Sequence, residues 1–264
     1  MSGEPRIDLG PVPVDAVTRG QALDRIGSLI ASGEGGAVFT PNVDHVVLAD
    51  ENPRFRSAYG RVSLSLADGM PLVWTSRMLG TPVPERVAGS DLVVPLLERA
   101  AERGWRVYFL GGGPGVAELA RDRVVEKLPA LRIVGTDAPR VDVDEPPERR
   151  AAVTGRIVAA APDIVLVGLG APKQEIWIDQ VREALRPAVL LGVGASLDFL
   201  AGTIPRAPGW MARSGLEWLY RLGREPRRLW RRYLVRDPKF LVIVGGMVRA
   251  RRNARAVARR LRSE

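Results

Sequence analysis

A lone carboxylate at the end of an apolar run is a candidate general base, and Asp68 stands so in LSLADGMPLVW, directly before Gly69. There it could take a proton from a substrate hydroxyl or cap a helix begun by GMPLVW. On residue type alone, capping is the commoner role. Thr40, Asn42 and Asp44 surround another turn in TPNVDH. His45, the only histidine, falls on a helical pattern, which favours a structural role. Glycines recur in GGGPG (Gly111 and Gly113 among them) and in GLGAPKQE (Gly168 and Gly170). Backbone N–H groups at such a helix start can approach a phosphate closely, but tight strand-to-helix turns would need the same glycines. Gln174, just after Pro172, offers an amide that could read a nucleobase or a sugar hydroxyl. Glu175 beside it also suits a helix N-terminus electrostatically. Last, RLGREPRRLWRR (221–232) sets six arginines beside two leucines and a tryptophan.

These residues need elements to hold them, and the chain alternates strand and helix signals. Short apolar runs at 37–40, 64–67, 105–110, 131–135, 163–167 and 188–193 read as strands. Helical patterns separate them, at 43–49, from Pro53, at 91–103, to about Leu128, at 146–160 and to about Leu185. Alternation of this kind means βαβ units and an α/β fold with a mostly parallel sheet and helices on both faces. Ligands of such sheets sit beyond the carboxyl ends of the strands, where the turns above fall.

The totals bound the function. The 264 residues include 46% hydrophobic ones, enough for a sizeable core. There is no cysteine and one histidine, which argues against a transition-metal site. Asp142-Val143-Asp144 has a metal-binding look but lies in a Pro- and charge-rich stretch and reads as surface. The N-terminus has no signal-peptide pattern, and no apolar stretch approaches the roughly 20 residues of a spanning helix. The net charge of +9 is uneven: Arg206 to Glu264 holds 17 Lys+Arg against 4 Asp+Glu, a local +13, so residues 1–205 carry −4. Such a tail points to an anionic partner. On an ideal helix Arg221, Arg224, Arg228, Arg231 and Arg232 share one face, with Pro226 expected to break the helix or start a second one. The tail therefore reads as amphipathic and suited to an anionic membrane surface.

Six stretches together resemble the WecG/TagA/CpsF family of bacterial glycosyltransferases. They are TPNVDHVVLADENP, SLADGMPLVW, ERVAGSDL, GLGAPKQE, GVGASLDFLAGTIPRAP and GLEWLYRLGREPRRLWRRYL, in order from about Thr40 to Leu234. The resemblance implies a Rossmann-like catalytic domain (1–204) and a basic helical appendage (205–264) that docks on the membrane and completes the active site. It implies an inverting transfer, without metal or other cofactor, of N-acetylmannosamine or its uronic acid. The donor is a UDP-sugar and the acceptor a GlcNAc carried on undecaprenyl diphosphate. The expected location is cytoplasmic, peripheral on the inner face of the cell membrane, with a homo-oligomer in solution. By motif, Asp68 becomes the general base, which reverses the capping reading. Thr40 and Asn42 line its pocket, Arg86 and Gln174 lie near donor and substrate, and Arg221, Arg228 and Arg231 grip diphosphate as arginine forks do. Two other readings compete. A nucleic-acid-binding protein would rest on the basic tail alone, with no recognition motif. An NAD-type oxidoreductase would rest on GGGPG, which has Val116 where the third glycine of the dinucleotide fingerprint belongs.

Overall fold

The computed structural model describes residues 5–213 and 216–260, without the side chains of 212, 213, 228 and 254–260. The chain opens with an antiparallel hairpin, β1 (Arg6–Leu9) and β2 (Val12–Asp15). Helix α1 (Arg19–Ala31) follows, begun by a capping box between Thr18 and Gln21. Then come β3 (Gly36–Phe39), α2 (Val43–Glu51), α3 (Pro53–Gly60), β4 (Leu64–Ser65), α4 (Met70–Met78) and α5 (Gly89–Arg103). The alternation continues through β5 (Arg106–Gly111), α6 (Val116–Lys127), β6 (Arg132–Asp137), α7 (Pro147–Ala160), β7 (Ile164–Gly168), α8 (Lys173–Val181), β8 (Val189–Gly192) and α9 (Ser196–Ala201).

Strands β3 to β8 form one parallel sheet in the order β4-β3-β8-β7-β5-β6. This is the expected α/β architecture. The central strands β3, β8, β7 and β5 are buried on both faces, and their residues alternate between two cores. Tyr108, Leu110, Val165 and Val167 face one core with α2, α3 and α8, while Val107, Phe109, Ile164 and Leu166 face the other with α1, α5, α6 and α9. Strand order reverses between β5 and β7: β5 leads outward to β6, while β7 leads back to β8. The crevice beyond that reversal is a favoured ligand position.

The basic segment is several helices, not one. It comprises α10 (Gly209–Arg213), α11 (Glu217–Arg224), α12 (Pro226–Arg231), a π-helical turn (Arg232–Arg236) and α13 (Lys239–Arg260). Glu225 leaves helical geometry and Pro226 starts the next helix at its first position, where a missing N–H costs nothing. The single arginine face is therefore broken. α13 folds back on the body: Phe240 and Val244 join the core under α2 and α3, and Met247 and Ile243 pack at Gly10 in the hairpin turn. Large apolar side chains elsewhere in this segment stay exposed, among them Trp210, Trp218, Trp230, Leu234, Leu241 and Val242. Among the described residues no helix is long and apolar enough to cross a membrane.

Candidate active site

β3 and β4 run side by side, Phe39 opposite Ser65, and the turns that leave them are tied together. The Asp68 N–H donates to the Pro41 carbonyl at 2.8 Å. The Thr40 hydroxyl donates to the Gly192 carbonyl at the end of β8, 3.4 Å away. A Cβ on Gly89 would stand 3.1 Å from the Thr40 Oγ1, so the start of α5 lies close against Thr40 and a side chain there would crowd its hydroxyl. Thr40, Asn42 and Asp68 are thus brought to one edge of the sheet.

Asp68 does not cap a helix. Gly69 holds the cap position of α4 with φ 130° and no side-chain cap bond. The Asp68 carboxylate is 29% exposed and instead faces Arg86, whose Nη1 lies 3.8 Å from its Oδ1. Arg86 is held by two other acids: Nη2 donates to Asp91 Oδ2 at 2.5 Å and Nη1 to Glu217 Oε2 at 3.3 Å. Asp91 also takes Arg206 (2.7 Å) and Glu217 also takes Arg221 (3.1 Å). The guanidinium groups of Arg206 and Arg221 both lie over the Phe199 ring. Three arginines and three carboxylates, from the β4–α5 region, the segment between α9 and α10, and α11, therefore form one cluster. Within it, burial above all pushes the Asp68 carboxyl up to about 7; Glu217 adds to the rise, and Arg86 and Arg221 oppose it. A carboxyl tuned near neutral pH is suited to proton transfer.

Below this edge lies a buried polar layer. Gln174 accepts from the Gly194 N–H (3.0 Å) and donates to Glu175 Oε1 (2.7 Å). Its amide braces the β8 turn against α8, and the residue is buried. It therefore presents no open amide to a nucleobase or sugar in this state. Glu175 is fully buried, not a surface helix-terminus charge, and burial raises its carboxyl to about 7. His45 has the structural role expected: its Nδ1 meets the Tyr59 hydroxyl at 2.7 Å, and burial, with Arg232 and Arg236 nearby, lowers its pKa to about 3.

A second cleft, of about 500 Å³, opens where β5 and β7 end. Gly112, Gly168, Arg140, Arg149, Asp142 and Lys173 line it. Gly111 and Gly168 have a structural cause: a Cβ on Gly111 would stand 2.4 Å from the Gly168 carbonyl, and one on Gly168 2.8 Å from the Gly194 carbonyl. Only bare backbone lets these three strand-end turns meet, and they are tied by the Gly112 N–H, which donates to the Gly168 carbonyl at 2.9 Å. Gly170, with φ 74°, lies in the following turn. A Cβ on Gly113 meets only ordinary contacts. Asp144, by contrast, pairs with Arg54 on the surface. Among the described residues no group of three or more His, Asp or Glu side chains is placed to hold a metal ion.

The appendage arginines divide. Arg221 joins the Asp68 cluster, while Arg231 is exposed against the Trp230 ring. Arg228 lies on α12, with its side chain outside the described residues. Two arginines that sequence reading did not single out for this role face the body. Arg232 donates to the Asn42 side-chain oxygen at 3.2 Å and pairs with Asp44 at 3.1 Å; Arg236 pairs with Asp44 as well. Asp44 is 3% exposed, so the start of α2 is clasped to the appendage through a buried carboxylate. Asp91 and Glu217 were also missed. ERVAGSDL carries Glu85 and Asp91 and GLEWLYRL carries Glu217, but nothing local says that Glu217 meets Arg86, 131 positions away.

A curated relative from Bacillus spizizenii (strain W23) is 35% identical over 211 residues, covering 80% of this chain and 79% of its own. That protein is named N-acetylglucosaminyldiphosphoundecaprenol N-acetyl-beta-D-mannosaminyltransferase. The family description "Glycosyl transferase WecG/TagA/CpsF family" matches residues 7–256, well beyond the motif-bearing stretch. The hairpin at the start and most of α13 thus fall within the match. The chain is a glycosyltransferase that belongs to the WecG/TagA/CpsF family.

Proposed function

We propose that this protein transfers N-acetylmannosamine, or a closely related hexose or its uronate, from UDP to a GlcNAc carried on a polyprenyl diphosphate. The observation that carries this reading is the Asp68 cluster: a carboxyl raised to about 7 just beyond a strand end, facing Arg86 within a network of three arginines and three acids. The substrates follow those in the relative's name. Asp68 takes the proton of the acceptor GlcNAc hydroxyl as that oxygen bonds to the anomeric carbon of the donor. The bond from that carbon to the β-phosphate oxygen breaks, and UDP leaves with the electron pair. One displacement inverts the anomeric centre. The leaving charge needs positive potential aimed at it, and arginines and helix N-termini supply it without a metal ion. The glycine turns at Gly111, Gly113, Gly168 and Gly170, with Arg140, Arg149 and Lys173 beside them, suit the nucleoside diphosphate. Arg221, Arg228 and Arg231 suit the acceptor diphosphate, and Thr40 and Asn42 the sugar.

The exposed tryptophans and the +13 charge of the last 59 residues support docking on an anionic membrane surface, on the cytoplasmic face where UDP-sugars are available. The same apolar surface supports a homo-oligomer in solution that covers it. Residues 1–204 then serve as the catalytic domain and 205–264 as the docking appendage that brings Glu217 and Arg221 to the site. Asp68→Asn tests the chemistry. Turnover is expected to fall by about 10²–10⁴-fold, with little change in UDP binding by calorimetry. Undiminished turnover would remove Asp68 from the reaction.

A further inference from the structure

We infer that Glu217, delivered by α11, is a positioning residue that holds Arg86 off Asp68 and so keeps the catalytic carboxylate free to act as a base. This rests on Asp68 being that base. Arg86 has two arms and three acids within reach. Its Nη2 is taken by Asp91 at 2.5 Å and its Nη1 by Glu217 at 3.3 Å, so the approach to Asp68 stops at 3.8 Å. Arg86 is 14% exposed and Glu217 25%, so solvent competes weakly for either charge. Without Glu217, Nη1 is left facing Asp68 at 3.8 Å. A guanidinium fork closing on Asp68 would occupy the oxygen that must accept the proton and would stabilise its charged form.

Glu217 is itself steered. Its other oxygen accepts from Arg221 at 3.1 Å, one helical turn along α11. The arrangement therefore exists only while α11 lies against the body. Undocking would take away Glu217 and Arg221 together and leave Arg86 shared between Asp91 and Asp68. Base strength and the docked state of the appendage are linked through one arginine.

The charged groups that act on Asp68 come from each neighbouring element: Arg86 from the segment before α5, Asp91 from α5, and Glu217 and Arg221 from α11. Tyr59 of α3 interacts with Asp68 as well, but as a neutral phenol its own pKa is raised further. Removing Glu217 deletes one negative neighbour and frees one positive one. Both changes favour the ionised carboxylate, so the signs add.

The test is the pH profile of kcat/KM for Glu217→Gln, Glu217→Asp and Asp68→Asn in the full chain. Glu217→Gln is expected to move the acid limb down by about one pH unit and to lower the plateau several-fold, since a weaker base transfers the proton less well. Glu217→Asp restores the limb towards its original position. Where Glu217→Gln turns over too slowly for a profile, a carbon-13 NMR titration of the Asp68 carboxyl reads the same shift. An unmoved limb or titration, with activity merely reduced, would overturn the inference and leave Glu217 a docking contact. Full activity in Asp68→Asn would instead sink the reading beneath it.

Discussion

At the scale of single residues, burial shifts two titrating groups in opposite directions, and each shift makes stability depend on pH. In the folded state the Asp68 carboxyl is raised from 3.8 to about 7. A raised acid costs the fold nothing below about pH 4, and its cost grows as pH rises to 7, because the unfolded chain releases that proton more readily. Asp68→Asn is therefore expected to be more stable than the natural protein at pH 8, by about 1–2 kcal/mol once partial solvent access is allowed for, and equal to it near pH 4. Denaturant melts at the two pH values check this. His45 has the opposite sign: lowered from 6.5 to about 3, it contributes stability that is lost as pH falls through that window. The structural role of His45 was legible from its place in NVDHVVLAD. The partner that fixes it, Tyr59, was not, because the meeting depends on how α2 packs on α3. Asp68 shows the other limit. Its type and neighbours fit a helix cap, and nothing local shows that Gly69 takes the cap position instead and that the carboxylate turns to Arg86.

At the scale of elements, the alternation of strands and helices was readable because every central strand is buried on both faces, which leaves an unbroken apolar run between turn residues. β4 is shorter than its run, Leu64–Ser65 against 64–67, since it pairs only with β3 at the sheet edge. The hairpin of β1 and β2 carried a signal, with Ile7, Leu9, Val12 and Val14 alternating around Gly10-Pro11, and it lay outside the motifs that attracted attention. In the appendage, Pro226 announced the break between α11 and α12, but the π-helical turn had no local signature. That turn places Arg232 and Arg236 on the buried Asp44. Replacing Asp44 by alanine strands two partly buried guanidinium groups, and breaking such a pair loosens the appendage by about 2–3 kcal/mol. Hydrogen exchange is expected to speed up in residues 232–248 and to stay unchanged in β5, β7 and β8. Equal acceleration in the strands would mean that Asp44 supports the whole fold and not the clasp.

At the scale of the whole molecule, charge and exposed apolar surface coincide in the last quarter of the chain. The tail's +13 set against the body's −4 gives an oriented molecule, basic where Trp210, Trp218, Trp230, Leu241 and Val242 are exposed. Binding to vesicles with anionic lipid is expected, weakening as salt rises because the attraction is screened within a Debye length. Equal binding to neutral vesicles would make the contact purely apolar. The charge asymmetry was plain in the sequence, but the return of α13 to the body core was not. Phe240 and Val244 look like membrane-facing residues until their partners under α2 and α3 are seen. The central claim is that this molecule moves a sugar from UDP with Asp68 as base. The most direct test is UDP release with UDP-N-acetylmannosamine and a short-chain GlcNAc-diphosphate-lipid, for the natural protein and Asp68→Asn, with and without EDTA. Turnover that survives EDTA and collapses in Asp68→Asn is the expected result. Turnover that needs added metal, or that Asp68→Asn retains in full, would contradict it.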